Sequence, residues 1–219
     1  MDPGYWLDRW ARNEISFHQR EANSHLTYFW HELGLPSDAS VFVPLAGKSR
    51  DMLWLRSHGH PVLGVELSNL AVEAFFREAG LLATNTRQGV FERSEAQGLV
   101  VLNGDFFALR AEDITGVRAI YDRGALVAFS ATERPRYVAQ MADLLPAGSK
   151  TLLIVVEYDQ SQVDGPPFAV SEAEVRQLYG ATHDIRVLHE EDVLTSSLKF
   201  RAASMPWILE KVYLLTRLS

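Results

Sequence analysis

The chain has 219 residues, 47% of them hydrophobic, enough to bury roughly 70% of the surface that the unfolded polypeptide exposes, as one domain over 1–219. A charged content of 22% and a formal charge of -7 exclude a long disordered tail and argue against nucleic acid, which needs Lys and Arg gathered on a basic face. With zero Cys, disulfides, thiolate metal sites and a cysteine nucleophile are excluded.

The start, MDPGYWLDRW, lacks the basic-then-apolar order of a signal peptide, and no apolar run approaches the roughly 20 residues of a membrane span. A cytoplasmic protein without a membrane partner is expected. From Tyr5 to Leu33, Trp6, Leu7, Trp10, Ile15, Phe17, Leu26, Phe29, Trp30 and Leu33 recur at mainly helical spacings, which predicts two amphipathic helices joined near 15–18. Gly34 and Pro36 stop the second, and Val41-Phe42-Val43 predicts a short buried strand.

Ser49 to His58 predicts a helix capped by Ser49, Val62 to Val65 a strand, and Ser68 to Ala79 a helix stopped by Gly80. The polar stretch Thr84 to Gly98 fits a small hairpin. Strands follow at Leu99–Leu102, Ala119–Tyr121 and Thr151–Glu157, with a helix at Glu133–Leu145 between the last two. A helix at Ser171–Tyr179 carries a capping-box signature, Ser171 with Glu174. Strands at Ile185–Leu188 and Ile208–Leu215 close the chain with no convincing helix between them, so an antiparallel edge pair is expected. This alternation predicts an α/β fold, a doubly wound and mainly parallel sheet covered by helices on both faces.

In such sheets ligands sit beyond the carboxyl ends of the strands at the topological switch point. The loops to inspect are Pro44–Lys48, Glu66, Asn103–Asp105 and Asp122–Gly124. Ala46-Gly47-Lys48-Ser49 is no phosphate-binding loop, because Phe42 stands where that motif needs its first glycine. A nicotinamide site needs three glycines in this turn, and only Gly47 is present. Glu66, about 20 residues beyond the turn, is placed to accept hydrogen bonds from ribose hydroxyls, or is a surface acid after a strand. Asp105 and Phe106 fit an adenine, or a loop turn with a core ring. Asp122 and Arg123 set opposite charges after an apolar strand, ahead of Gly124, as a ligand-binding pair or a structural one.

Six blocks then stand out: Trp6–Gln19 (WLDRWARNEISFHQ), Pro44–Lys48 (PLAGK), Gly59–Ser68 (GHPVLGVELS), Asp122–Ala128 (DRGALVA), Gly165–Phe168 (GPPF) and Glu210–Thr216 (EKVYLLT). In this order, from Trp6 to the end of the chain, the sequence resembles the thiopurine S-methyltransferase family, in a bacterial form. The resemblance implies the class I methyltransferase fold, a Rossmann-like seven-stranded sheet with an antiparallel C-terminal strand, and S-adenosylmethionine as cofactor. It implies cofactor contacts from Trp10, Leu45, Glu66 and Arg123, with Trp6, Phe17, Gly47, Asp105 and Phe106 as neighbours. Residues 1–33 become a helical lid, since Trp faces attract a sulfonium cation and exclude water.

Methyl transfer to a soft thiopurine sulfur needs alignment more than a strong base. Arg123 is expected to orient an anionic acceptor, with Asp122 positioning it. Lys199 and Arg201 flank Phe200 where relatives carry a second basic substrate residue, and Phe17, Leu45 and Trp207 are the expected apolar walls. The seven His residues show no metal spacing, and His58-Gly59-His60 is read as a surface turn, so no metal is expected. Selenium and tellurium oxyanions are alternative acceptors by resemblance, and the protein is expected to be a monomer. A nicotinamide oxidoreductase and a non-catalytic cofactor sensor are the competing readings.

Overall fold

The computed structural model describes residues 2–15, 18–195 and 205–218. Helices α1 (Pro3–Ala11) and α2 (Ser24–Phe29) precede strand β1 (Ser40–Val43) and helix α3 (Arg50–Ser57). Then come β2 (Val62–Glu66), α4 (Asn69–Glu78), β3 (Thr84–Gln88), β4 (Phe91–Ala96), β5 (Leu99–Asn103) and β6 (Val117–Arg123). Helix α5 (Arg134–Leu144), β7 (Lys150–Glu157), α6 (Glu172–Tyr179), β8 (His183–Asp192) and β9 (Leu209–Arg217) complete the order. Among the described residues no helix is long and apolar enough to cross a membrane.

The strands form a nine-stranded sheet in the order β3-β4-β5-β2-β1-β6-β7-β9-β8. Its central five strands, β5, β2, β1, β6 and β7, are parallel, and β9 runs antiparallel between β7 and β8, the antiparallel pair expected from the sequence. The expected seven strands are all present. The count rises to nine because the hairpin β3-β4 adds itself antiparallel to β5: β4 buries Phe91 and Ala96 in the two cores, while β3 is polar, exposed and held by backbone pairing. Side chains alternate between two cores, as strand geometry requires. One face places Phe42, Val65, Ile120 and Leu153 against Tyr137 of α5 and Val175 of α6. The other places Val41, Val43, Ala119 and Leu152 against Leu26 of α2, Met52 of α3 and Phe75 of α4. Gly64 of β2 permits the second packing, since a Cβ there would meet the Ala46 Cβ at 2.9 Å and the Met52 Cε at 3.1 Å.

Helix ends follow the sequence. Ser49 caps α3 through Asp51 N, Ser68 caps α4 through Ala71 N, and Ser171 caps α6 through Glu174 N. The capping box at α6 is not closed by its second half, because the Glu174 carboxylate turns to the buried Arg134 guanidinium at 2.6 Å. Two expectations need correction. The two N-terminal helices are separated by residues 12–23, a longer joint than 15–18, and α1 buries none of its residues. His60 is buried, accepting from Trp30 Nε1 at 2.9 Å and facing the Ala39 carbonyl at 2.9 Å; its two ring nitrogens find partners in the core, whereas His58 stays exposed and stacks on Trp54 at 3.8 Å.

Candidate active site

The chain leaves β1 toward β2 on one side and later β6 on the other, so the switch point lies where the carboxyl ends of β1 and β6 diverge. A cavity of about 1040 Å³ opens there, at the upper end of what small-molecule sites span. Leu45 and Gly47 after β1, Glu66 after β2, Asp105 and Phe106 after β5, and Arg123 after β6 all line it, as do Trp6 and Trp10 of α1.

Glu66 is the best-held of these. It is 7% exposed, and its carboxylate accepts from Gly47 N and Ser68 N, each at 2.8 Å. Burial pushes its carboxyl up, while the N–H groups of Ser68, Gly47 and Leu67 pull it back. The Asn103 amide donates to the Glu66 and Leu67 carbonyls at 2.9 and 3.0 Å, which fixes the loop behind the acid. Two oxygens holding one N–H each retain further lone pairs for hydroxyls in the cavity.

The loop before it is strained where it faces the cavity. Leu45 has φ +47, a left-handed conformation that costs a branched residue on the order of 1–3 kcal/mol and persists only where its surroundings enforce it. Gly47 is also left-handed at φ +54, and a Cβ there would stand 3.3 Å from the Trp10 ring. One glycine therefore satisfies a backbone turn and admits an aromatic ring.

Arg123 turns into the cavity, and the partner expected for it does not. Successive strand residues point to opposite faces, so Asp122 lies behind the cavity wall. There its carboxylate accepts from Tyr137 Oη at 2.7 Å and Leu126 N at 3.1 Å, and burial pushes its carboxyl up to about 6. The acid beside Arg123 is Asp51, 1% exposed in the first turn of α3, with Oδ2 3.8 Å from Arg123 Nη1. Asp51 also accepts from Tyr121 Oη at 3.0 Å and from Asn23 N at 2.7 Å. Burial and the Asp51 carboxylate hold the Tyr121 hydroxyl well above its ordinary range, so it remains a donor. Asp51 thus joins the guanidinium to the cap of α2, whose Asn23 side chain accepts from His25 N and Leu26 N.

The remaining expected residues divide. Asp105 is exposed on the cavity rim and accepts from Phe107 N at 2.9 Å. Phe106 touches the cavity but belongs to the core, tilted against Tyr137 at 5.1 Å; the more open ring is Phe107, with the Arg136 guanidinium 3.9 Å from its centre. Trp207 does not line the cavity, where Ile208 beside it does. Phe17, Lys199 and Arg201 lie outside the described residues.

Four contributors were not singled out from sequence: Asp51, His18, Glu210 and the segment 164–167. Burial and the neighbouring Lys48 lower the His18 imidazole, which disfavours its charged form. Lys48 itself is held by Glu78 of α4 at 2.8 Å. Segment 164–167 is pinned by Tyr158 Oη on the Pro167 carbonyl at 2.6 Å and by Phe168 N on the Val127 carbonyl at 2.7 Å. Its GPPF block, the Trp6–Gln19 block holding His18 and the EKVYLLT block that opens on Glu210 all lie inside the resemblance, so those three were within reach. Asp51 carried no signal, since an acid in a helix's first turn is ordinary.

The comparisons with known proteins agree with this architecture. The family model described as Thiopurine S-methyltransferase (TPMT) matches residues 1–218. A thiopurine S-methyltransferase of Nitrosospira multiformis is 46% identical over 215 residues, covering 98% of each chain. One from Pseudomonas putida is 45% identical over 217 residues, covering 99% of this chain and 100% of that one. Among solved structures, a Burkholderia thailandensis 1,6-didemethyltoxoflavin-N1-methyltransferase superposes with a TM-score of 0.63 at 17% identity, covering 99% of this chain and 87% of that one. A SAM-dependent methyltransferase from Anabaena variabilis reaches 0.65 at 12%, covering 98% and 94%. These two establish the class I methyltransferase fold, while the whole-chain family match and the close relatives establish more: the chain belongs to the thiopurine S-methyltransferase family of S-adenosylmethionine-dependent methyltransferases.

Proposed function

We propose that this enzyme moves the methyl group of S-adenosylmethionine onto the sulfur of a thiopurine or a similarly small, soft nucleophile, with selenium and tellurium oxyanions as the second acceptor class. The observation that carries the reading is the convergence on one cavity of a buried acid, Glu66, and a held guanidinium, Arg123. When bound, the cofactor supplies an electrophilic methyl on a sulfonium. Glu66 takes the ribose hydroxyls, with Gly47, Leu45, Asp105 and the Phe106–Phe107 turn around the nucleoside. The rings of Trp6 and Trp10, which line the cavity, would face the cation and shed water from it. Of the expected lid over 1–33, helix α1 alone takes that part, since no residue of it is buried, whereas Leu26, Trp30 and Leu33 belong to the core.

Arg123 orients the acceptor and offsets its negative charge, with Asp51 as its positioning residue and Asp122 as a structural support beneath. Holding nucleophile and methyl in line supplies on the order of 7–11 kcal/mol in such displacements, so rigid placement of Arg123 matters more than a strong base. A labelled-methyl transfer panel over thiopurines, simple thiols and selenite or tellurite tests this. Transfer to 6-mercaptopurine that collapses in Arg123→Ala supports it; cofactor binding without transfer to any of these acceptors rejects it.

A further inference from the structure

Away from the methyl-transfer chemistry, two imidazoles and two carboxylates from distant positions meet beneath α2. His25 Nε2 lies 2.8 Å from Glu210 Oε2 and 3.2 Å from Glu191 Oε1, and Glu191 Oε2 lies 3.9 Å from His189 Nε2. One ligand atom from each of His25, His189 and Glu191 falls within 4.8 Å of the others. From these contacts we infer that His25, His189 and Glu191, with Glu210 flanking His25, form a binding site for a first-row divalent cation of the Zn2+ type.

Three physical features favour a cation over an ordinary hydrogen-bonded histidine. First, two carboxylates converge on a single ring nitrogen, which has at most one proton to give. A divalent ion at that point satisfies both at once. Ligand atoms about 2.1 Å from a tetrahedral ion stand roughly 3.4 Å apart, and the observed separations of 3.2 and 3.9 Å within the group bracket that value.

Second, among the described residues the imidazoles of this cluster are the only ion-pair partners of Glu191 and Glu210. Lys211, next to Glu210, is committed to Glu157 and Glu190 at 2.9 and 2.7 Å. Third, the strand is re-aimed to build the cluster. Val187 of β8 pairs with Tyr213, whose side chain belongs to the α5–α6 core, but a bulge follows, and His189 pairs with Val212 on the α2 side. The extra residue rotates His189 and Glu191 under His25, which is what bulges do beside functional sites. The donor set of imidazole and carboxylate suits Zn2+, Co2+ or Ni2+. An ion there would tie α2 to the terminal hairpin, and Glu210 would connect it to the cavity wall.

The test is calorimetric titration of tag-free, EDTA-treated full-length protein with Zn2+, repeated with Co2+ while its visible absorption is recorded. One ion per chain is expected, with the Co2+ bands of a nitrogen-oxygen tetrahedral site. His189→Gln and Glu191→Gln, both partly exposed positions, should each weaken binding by about tenfold or more, whereas His58→Gln should leave it unchanged. Absence of binding at 100-fold molar excess overturns the site, and so does binding that is indifferent to His189→Gln and Glu191→Gln. Neither readout depends on methyl transfer, so failure here leaves the proposed activity standing.

Discussion

Glu66, Asp51 and Asp122 are each 7% exposed or less, and each accepts two hydrogen bonds from partners fixed in the sheet or its helices. The helix that covers the same cavity is built the other way: α1 is capped by Asp2 and started by Pro3, yet buries no residue. The floor is set by the central strands before any ligand arrives. The roof can be displaced at little expense of packing, which is what a cofactor that must enter and leave requires. Precision and access are therefore assigned to different parts of the chain.

The sharpest way to break this division is at the floor's central acid. Glu66→Ala removes a carboxylate whose hydrogen bonds to a ligand are each worth about 1.5–3 kcal/mol, so the S-adenosylmethionine affinity should fall by about 100-fold or more by titration calorimetry. An unchanged affinity would move the nucleoside elsewhere in the cavity. Next in size is Asp122. Its carboxyl is raised from 3.8 to about 6 in the folded protein, so between those values the folded state holds a proton that the unfolded state has lost. Stability must then decline as pH rises from about 4 to about 6 and level off above, by about 3 kcal/mol in all. Asp122→Asn, which keeps an acceptor for Leu126 N, should remove that decline in urea unfolding at stepped pH. A difference from wild type that does not vary with pH would show that the charge is not buried as described.

Asp51→Asn is expected to have a smaller effect, on the reaction more than on binding. Without the negative charge beside it, Arg123 loses its orientation, and kcat/KM should drop by about tenfold, roughly 1.4 kcal/mol. The cofactor Kd should change less, which separates a positioning role from a binding one. Equal loss in both would make Asp51 part of the cofactor site.

Most of the floor was legible from residues alone because strand ends announce themselves: a β-branched run, then Glu66, then a capping Ser68 leaves an acid one place to be. The pairing of Arg123 was not, since Asp122 beside it in sequence is opposite it in space, and its true partner comes from 72 positions earlier in the chain, 123 against 51. The same separation hid the imidazoles: His25 and His189 have no sequence spacing to notice, and a bulge decides which face His189 takes. Phe106 shows a third kind of ambiguity, where an aromatic after a strand reads equally well as ligand cover or core, and the ring here both lines the cavity and packs against Tyr137.

The gentlest perturbation addresses the roof. Trp10 is partly buried and its ring edge reaches the site of a missing Cβ at Gly47, so it touches the floor without joining a core cluster. Trp10→Ala should raise the cofactor Kd by about five- to tenfold, roughly 1 kcal/mol, as expected for a cation–π contact at a partly exposed site. Unfolding of the cofactor-free protein should shift by less than about 0.5 kcal/mol, as for surface substitutions. Hydrogen exchange of α1 should slow on cofactor addition in the wild type, and the slowing should be reduced in the variant. A large loss of cofactor-free stability would instead make α1 a fixed wall, and the cavity would then need another route for its ligands, through the face formed by 164–167 and Ile208.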